Sequence, residues 1–298
     1  MKTTTLLLAL ASFISTASAA TMINSANKCA YGANIGWMDW RGDVANGAVI
    51  GEFVCSGFIY AANVGWINLG RGRPANGIRY QNSLAADFGV NHDGAGTLSG
   101  FAYGANIGWI HFTNAHAGGG SFDGPRVDLR TGKLSGFVWS ANCGWISLSN
   151  AFAFVQTDSI PGGNDTDGDS LPDAWELTYA SNLSTLNGSG DNDNDDDGFS
   201  DSQEYLADTN PTDPNSLLRI TTFATSAQAT TGTITWTSRP TRQYHVQKRD
   251  DLSAGFVWSD AGLGRISPDS GPTTTRSFAD AVARHRFFRM EAVRPLTH

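Results

Sequence analysis

A nine-residue pattern that occurs four times in the first half of the chain constrains the fold more than any other feature. Each copy runs from an apolar residue through an aromatic residue, a small residue and Ala-Asn to an apolar residue and Gly-Trp. The copies are Cys29–Trp37, Phe58–Trp66, Phe101–Trp109 and Phe137–Trp145. Their tryptophans lie 29, 43 and 36 residues apart, so the centre of the unit is fixed while its outer loops vary. Self-similarity of this kind indicates a repeat architecture.

Each copy of the pattern predicts a β-hairpin. Aromatic residues alternate in the first strand, as Phe137 and Trp139 do, and the second strand begins at the tryptophan. The Asn and Gly between them tolerate the positive φ that tight turns require. A strand upstream of the hairpin extends the unit to a three-stranded meander. We therefore expect an all-β domain over residues 21–157, closed as a propeller, a barrel or a sandwich.

The repeated tryptophans have two interpretations. A residue that recurs at one place in every unit is usually architectural, so we favour core positions for the tryptophans and turn-forming roles for the asparagines. The alternative is a ligand-binding surface on which sugar rings stack. The residues concerned are Trp37, Trp66, Trp109 and Trp145, with Asn34, Asn63, Asn106 and Asn142. Cys29, Cys55 and Cys143 all occupy apolar slots of the repeat, which leaves open whether the thiols are buried or Cys29 and Cys55 form a disulfide.

Charge is sparse and unevenly distributed. Only 16% of the 298 residues are charged and the formal net charge is −8, which argues against a nucleic-acid-binding protein because such proteins present a basic face. Half of the 28 acidic residues lie between Asn164 and Asp213, a stretch that contains no Lys or Arg. The acidity therefore belongs to one segment, and the flanking regions are mildly basic.

The acidic segment contains two arrays with the spacing of EF-hand calcium loops. Acids occupy positions 1, 3, 5, 9 and 12 of both arrays, while position 6 is Ser170 in the first and Gly198 in the second. Calcium takes six to eight oxygen ligands, and alternate residues of a tight loop point inward, with the acid at position 12 closing the shell. The candidate ligands are Asp165, Asp167, Asp169, Asp173 and Glu176 in the first loop, and Asp193, Asp195, Asp197, Asp201 and Glu204 in the second.

A helix start is predicted within each loop. Ser170–Asp173 and Ser200–Gln203 have the form of capping boxes, which would place Glu176 and Glu204 early on two small helices. A disordered acidic linker is the alternative. Mutual repulsion of the carboxylates would keep such a segment extended in the absence of a cation.

Two parts of the chain resemble known modules. Asp165–Glu176 and Asp193–Tyr205, followed by Asp208–Pro214, resemble thrombospondin type 3 repeats of bacterial exported proteins, and the resemblance implies calcium binding in a secreted linker module. The Asn-x-Gly-Trp units are similar to repeats of uncharacterised bacterial surface proteins. The C-terminal strands, which include Tyr244–Gln247 and Arg286–Met290, are similar to fibronectin-III-like domains.

The N-terminus is typical of a secretory signal peptide. Lys2 precedes the apolar run Leu6–Ile14, and small residues follow up to Ala20. The expected organisation is a signal peptide over residues 1–20, the repeat domain over 21–157, the calcium-binding segment over 158–216 and a β-sandwich over 217–298. The predicted fold class is mainly β with two small helices.

These features predict a secreted calcium-binding protein of the cell surface or matrix, which acts by adhesion to an unknown protein or glycan. Calcium would rigidify a spacer between two β domains. The sequence shows no nucleophile elbow, zinc-protease or phosphate-loop motif, so we expect no catalytic activity. A secreted carbohydrate-active enzyme, which needs only two carboxylates, and a purely structural surface component are the alternatives. No apolar run after the signal peptide approaches the length of a transmembrane helix.

Overall fold

The computed structural model describes residues 20–113, 123–226, 230–253, 255, 257–279 and 286–297. Over these residues the chain is mainly β with two short helices, as the sequence predicts. The signal peptide predicted for residues 1–20 lies outside the described residues except for Ala20. Neither helix in this part of the chain has the length and apolar character needed to cross a bilayer.

Thirteen strands precede the first helix in the described chain. They are β1 (Ile23–Gly32), β2 (Gly36–Asp39), β3 (Val49–Ile50), β4 (Cys55–Ala61), β5 (Gly65–Arg71), β6 (Val90–His92), β7 (Leu98–Gly104), β8 (Gly108–Phe112), β9 (Arg126–Val127), β10 (Leu134–Ser135), β11 (Phe137–Ser140), β12 (Gly144–Ser147) and β13 (Val155–Thr157). Four hairpins, β1–β2, β4–β5, β7–β8 and β11–β12, coincide with the four copies of the pattern. The short strands β3 and β6 pair with the starts of β4 and β7.

The eight hairpin strands form a closed antiparallel ring. Their order is β1-β2-β4-β5-β7-β8-β11-β12, and β12 pairs back with β1. Neighbouring hairpins meet in the same register each time: Met38 lies opposite Ala61, Ile67 opposite Gly104, Ile110 opposite Ser140 and Ile146 opposite Gly32. Of the three closures that the spacing left open, the ring is therefore a barrel in which every hairpin strand is paired on both sides.

Alternating large and small side chains fill the interior of the ring. At each contact between hairpins a large aliphatic side chain faces Gly, Ala or Ser. A Cβ added to Gly104 would approach Ile107 to 2.8 Å and Ile67 to 3.3 Å, so the fourth position of the pattern has to be small. Ile67, Ile110 and Ile146 are fully buried. This close packing explains why the interior is a filled core.

The repeated asparagines join each hairpin to the next in a cycle. The side-chain Nδ2 groups of Asn34, Asn63, Asn106 and Asn142 donate hydrogen bonds of 3.0–3.1 Å to the carbonyl oxygens of Cys143, Ile35, Val64 and Ile107, respectively. Each turn also closes with a backbone hydrogen bond, such as Ile107 N to Gly104 O at 3.1 Å. A glycine at φ between 72° and 79° follows each turn. The asparagines are thus turn residues, as predicted, that also bind the neighbouring repeat.

The substitution Asn106→Ala tests the cycle. It removes the donor that binds Val64 O at 3.1 Å, so we expect it to lower the free energy of unfolding by about 1 kcal/mol, the usual net worth of such a bond. Denaturant unfolding of the full chain measures the effect. The neighbouring exposed turn residue provides the control, because Ala105→Ser should change the free energy by less than about 0.5 kcal/mol. Equal effects of the two substitutions would contradict the conclusion that the asparagine bonds join neighbouring hairpins.

Two helices and a small sandwich complete the described chain. Their bounds are α1 (Asp173–Tyr179), α2 (Asp201–Ala207), β14 (Ile220–Thr225), β15 (Thr231–Thr237), β16 (Gln243–Arg249), β17 (Ser259–Ile266), β18 (Thr273–Ala279) and β19 (Phe287–Val293). One sheet has the order β14-β15-β18 and the other β17-β16-β19. Ile234, Trp236 and Phe278 from the first sheet share one core with Tyr244 and Val246 from the second. The two sheets therefore form the β-sandwich that the strand pattern predicts.

Candidate metal centre and aromatic wall

Both acidic arrays fold into tight loops around their first aspartate. Asp165 accepts hydrogen bonds from the backbone N–H groups of Gly168, Asp169 and Ser170 at 2.7–3.2 Å. Asp193 accepts equivalent bonds from Asp197 and Gly198 at 3.2 and 2.8 Å. The loop backbone wraps each aspartate, and this bending gathers the acids at positions 1, 3 and 5. In each loop one ligand atom from each of these three acids lies within 4.8 Å of the others.

The glutamates at position 12 are buried and have unused oxygens. Glu176 is 0% exposed and Glu204 is 1% exposed. Neither oxygen of Glu176, nor Oε2 of Glu204, has a hydrogen-bond partner among the described residues, while Oε1 of Glu204 accepts a bond from Thr209. Burial, together with the nearby aspartates, raises the pKa of each glutamate to about 8. A buried carboxylate without a partner is costly, so this arrangement fits a bound cation.

The aspartates at position 9 contact the loop backbone. Asp173 accepts a 2.7 Å bond from Thr166 N, and Asp201 accepts bonds from Asn194 N at 3.1 Å and Asn187 N at 2.8 Å. In each loop the bond runs from position 2 to position 9. The sequence spacing marks both aspartates as candidate ligands. Their contacts show an additional bracing function that the spacing did not reveal.

Positions 4 and 6 of both loops adopt positive φ. Position 4 is Gly168 at 79° and Asp196 at 60°, while position 6 is Ser170 at 83° and Gly198 at 94°. Ser170 therefore takes a left-handed conformation that favours glycine. The capping box predicted at Ser170–Asp173 is wrong. Ser170 belongs to the loop, and the residue that precedes α1 is Pro172, which makes no side-chain capping bond. The capping box at Ser200 is confirmed by reciprocal bonds with Gln203.

The substitution Ser170→Gly should stabilise the chain. Left-handed φ costs a non-glycine residue roughly 1–2 kcal/mol. Glycine removes this strain but lowers stability by roughly 0.5–1 kcal/mol, because its unfolded chain has more conformational entropy. We therefore expect a net gain in the free energy of unfolding of up to about 1 kcal/mol. Thermal unfolding at saturating calcium is the measurement. Gly198→Ala should have the opposite sign at the equivalent position, where a Cβ would meet no atom within 4 Å. A loss of stability in Ser170→Gly would refute the conformational argument.

The acidic segment has an apolar core of its own, which contacts the repeat domain. Leu171, Trp175, Leu186 and Tyr205 are buried together, and Phe53 from the repeat domain packs against them. The rings of Trp175 and Tyr205 lie 5.5 Å apart. The segment predicted as a spacer is therefore a packed unit in contact with the neighbouring β domain.

A buried charged cluster joins the acidic segment to both β domains. Glu52 of the repeat domain accepts hydrogen bonds from Arg242 at 2.8 Å, Arg294 at 2.9 Å and the Tyr205 hydroxyl at 2.8 Å. Arg242 also donates to the carbonyls of Tyr205 at 2.7 Å and Leu206 at 2.9 Å, near the end of α2. Burial alone would raise the pKa of Glu52, but the two guanidinium groups outweigh it and hold the pKa below its ordinary value.

The repeated tryptophans lie on the outside of the ring. Trp37, Trp66 and Trp109 are 49%, 47% and 40% exposed, and Trp145 is half-buried. The interpretation of these residues as core is therefore wrong for the first three. The reason is strand alternation: the tryptophan neighbours an inward-facing aliphatic residue and so has to face outward.

An aromatic partner on the adjacent strand supports each outward tryptophan. The rings of Tyr31, Tyr60 and Tyr103 lie 4.9 Å from those of Trp37, Trp66 and Trp109. Trp139 is the cross-strand neighbour of Trp145. Further rings contact three of the tryptophans, Phe58 at 6.3 Å, Phe101 at 5.9 Å and Phe137 at 6.4 Å. We call the four tryptophans and these cross-strand aromatic residues the aromatic wall.

Comparison with known proteins gives no relative from which function could be transferred. No family model matches the chain, and neither a curated protein nor a solved structure matches it. The cysteines offer no further centre, because all three are free and the Cys29–Cys55 disulfide is not formed.

Proposed function

We propose that this protein is a secreted, calcium-stabilised binding protein that attaches to carbohydrate at a cell surface or in a matrix. The observation that carries the proposal is the outward orientation of the repeated tryptophans. Exposed contiguous apolar surface on a folded protein marks an interaction site. Here the exposed rings recur on successive hairpins around a rigid closed sheet, and each has aromatic support.

Carbohydrate is the partner that this surface fits best. One face of a pyranose ring presents mostly C–H groups, and such a face packs on an aromatic ring, while the hydroxyls remain available for polar contacts. The acidic charge is concentrated between Asn164 and Asp213, and the aromatic wall itself has no Lys or Arg to contact phosphates, which disfavours nucleic acid. The signal peptide expected from residues 1–20 and the resemblance to bacterial surface-protein repeats support an extracellular location for this binding.

Calcium would stabilise the orientation of the two β domains. Asp165, Asp167, Asp169 and Glu176 would hold one ion, and Asp193, Asp195, Asp197 and Glu204 the other, with Asp173 and Asp201 as additional acids of the two loops. The ion supplies positive charge to carboxylates that otherwise repel each other. Tyr205 follows Glu204 directly and contacts Glu52 and Arg242. Order in the second loop therefore supports the junction of the domains.

A binding screen tests the proposal. The full exported chain, with calcium, is applied to neutral and acidic polysaccharides, and the same is done with variants in which the four wall tryptophans are replaced by alanine one at a time. We expect at least one neutral polysaccharide to bind, and at least one tryptophan variant to weaken that binding. Loss of binding after chelation would show dependence on calcium. If no carbohydrate binds, the proposal fails, and release of reducing sugar would favour the enzyme alternative.

A further inference from the structure

The third hairpin carries a groove beside its tryptophan. The residues that line its roughly 380 Å³ of space include Asn82, Ser83, Leu84, Phe88, Trp109 and His111. This volume lies within the ~300–1,000 Å³ of small-molecule sites. One side is the aromatic wall, and the other is the loop of residues 82–88, in which Leu84 is 69% exposed.

The loop brings a third aromatic neighbour to Trp109, in addition to Tyr103 and Phe101. Phe88 lies 5.1 Å from Trp109 at an interplanar angle of 82°, and 6.3 Å from Tyr103. Trp66 has the equivalent tyrosine and phenylalanine neighbours, but no loop ring contacts it among the described residues. Trp109 therefore has a concave aromatic setting that Trp66 lacks.

The loop that forms the groove is held in place by its own hydrogen bonds. The buried carboxylate of Asp87 accepts bonds of 3.0 Å from Ala75 N and Gln81 N. Asn82, at φ 57°, accepts a 3.0 Å bond from Gly89 N, and its own N–H donates to Asp87 O. A pre-ordered loop lowers the entropic cost of binding a ligand.

The chemistry of the groove selects a neutral ligand. None of the described residues that line it is Asp, Glu, Lys or Arg. An ionic ligand would lose hydration there without gaining a charged partner. Ser83 and His111 supply polar groups beside the rings. A pyranose ring with apolar C–H faces and uncharged hydroxyls matches both parts of this lining.

From this geometry we propose that the groove beside Trp109 and Phe88 is the principal sugar-binding subsite, and that it takes one neutral hexopyranose unit of a polysaccharide. This inference rests on the proposed function and deepens it. The remaining wall tryptophans then add weaker contacts to other units of the same polysaccharide.

The repeats supply a matched control for the test. Calorimetry of the calcium-loaded full chain uses neutral gluco-, galacto- and manno-oligosaccharides and a galacturonate oligosaccharide as probes. Trp109→Ala and Phe88→Ala should each weaken the neutral ligand at least 10-fold. Trp66→Ala removes the equivalent residue of the second hairpin and should change the affinity by less than about 3-fold. Leu84→Asp, at an exposed position, should weaken binding without affecting thermal unfolding.

The outcomes separate the two proposals. If the wild-type chain binds an oligosaccharide but Trp66→Ala costs as much as Trp109→Ala, the subsite is refuted while the proposed function stands. Preference for the galacturonate probe would also refute it. If the groove variants change self-association in light scattering and leave sugar binding intact, the occupant is a second copy and the subsite is wrong. If no sugar binds the wild type, both proposals fail together.

Discussion

Removal of calcium is expected to lower the thermal unfolding temperature by about 10 °C or more. Each ion that binds only the folded chain contributes about 2.7 kcal/mol when its concentration is 100 times the dissociation constant, so two sites contribute about 5 kcal/mol. In a chain of about this length, each kcal/mol of lost stability lowers the unfolding temperature by roughly 2–4 °C. The physical source is the pair of buried glutamates, three of whose carboxylate oxygens have no hydrogen-bond partner among the described residues.

Single substitutions locate this effect. Glu204→Gln should weaken the second site more than Glu176→Gln weakens the first, because Ser170 already strains the first loop. Calorimetry of the full chain should find about two sites in the wild type. Asp191→Asn is the matched control, since it removes one exposed acid of the same segment that lies outside the ligand positions. Equal losses in Asp191→Asn and Glu204→Gln, or no binding at millimolar calcium, would refute the loops as calcium sites.

Replacement of Glu52 by Gln should destabilise the chain by about 3–5 kcal/mol at neutral pH, the usual cost of breaking a buried ion pair from one side. The substitution removes the carboxylate that lies 2.8 Å from Arg242, a residue only 1% exposed, and leaves Asp208 at 4.0 Å as its remaining acidic partner. Thermal unfolding gives the free energy, and small-angle scattering shows whether the two β domains separate. Glu291→Gln in the exposed face of the sandwich is the control and should cost less than about 1 kcal/mol.

The same residue gives a pH dependence with a defined sign. The pKa of Glu52 is lowered in the folded chain, so its contribution is present above the unfolded value of about 4.3 and is lost as the pH falls through the folded value. The wild type should therefore lose its advantage over Glu52→Gln in acid below about pH 4. An advantage that stays constant from pH 7 to pH 3 would contradict the ion-pair account.

Local structure could be predicted from the sequence wherever the signal is short-range. The hairpin turns follow from Ala-Asn-x-Gly, and the bend of the second acidic loop follows from the spacing of Asp193 to Glu204. The orientation of Trp37 was predicted incorrectly, because its recurrence suggested a core role. Strand alternation turns Trp37 outward, since the next residue of the same strand, Met38, is buried. Periodicity alone could not show that β12 returns to β1.

Long-range contacts had no sequence signal. Glu52 and Arg242 are 190 residues apart, and nothing in either neighbourhood marks them as partners. The groove at Trp109 likewise depends on Phe88, which belongs to a variable connection outside the repeated pattern. Such features arise from the folded arrangement of connections, and for that reason the candidate subsite became visible only in the structure.

The cycle of asparagine hydrogen bonds fixes the number of repeats in the ring. In an open stack of units, one copy can be gained or lost at an end with little consequence for the rest. Here each copy gives one donor to a neighbour and receives one from the other side. Deleting a copy would leave an unmatched donor and an unmatched carbonyl and would open the sheet. Tandem duplication, which can lengthen an open array freely, therefore has a fixed stopping point in this domain.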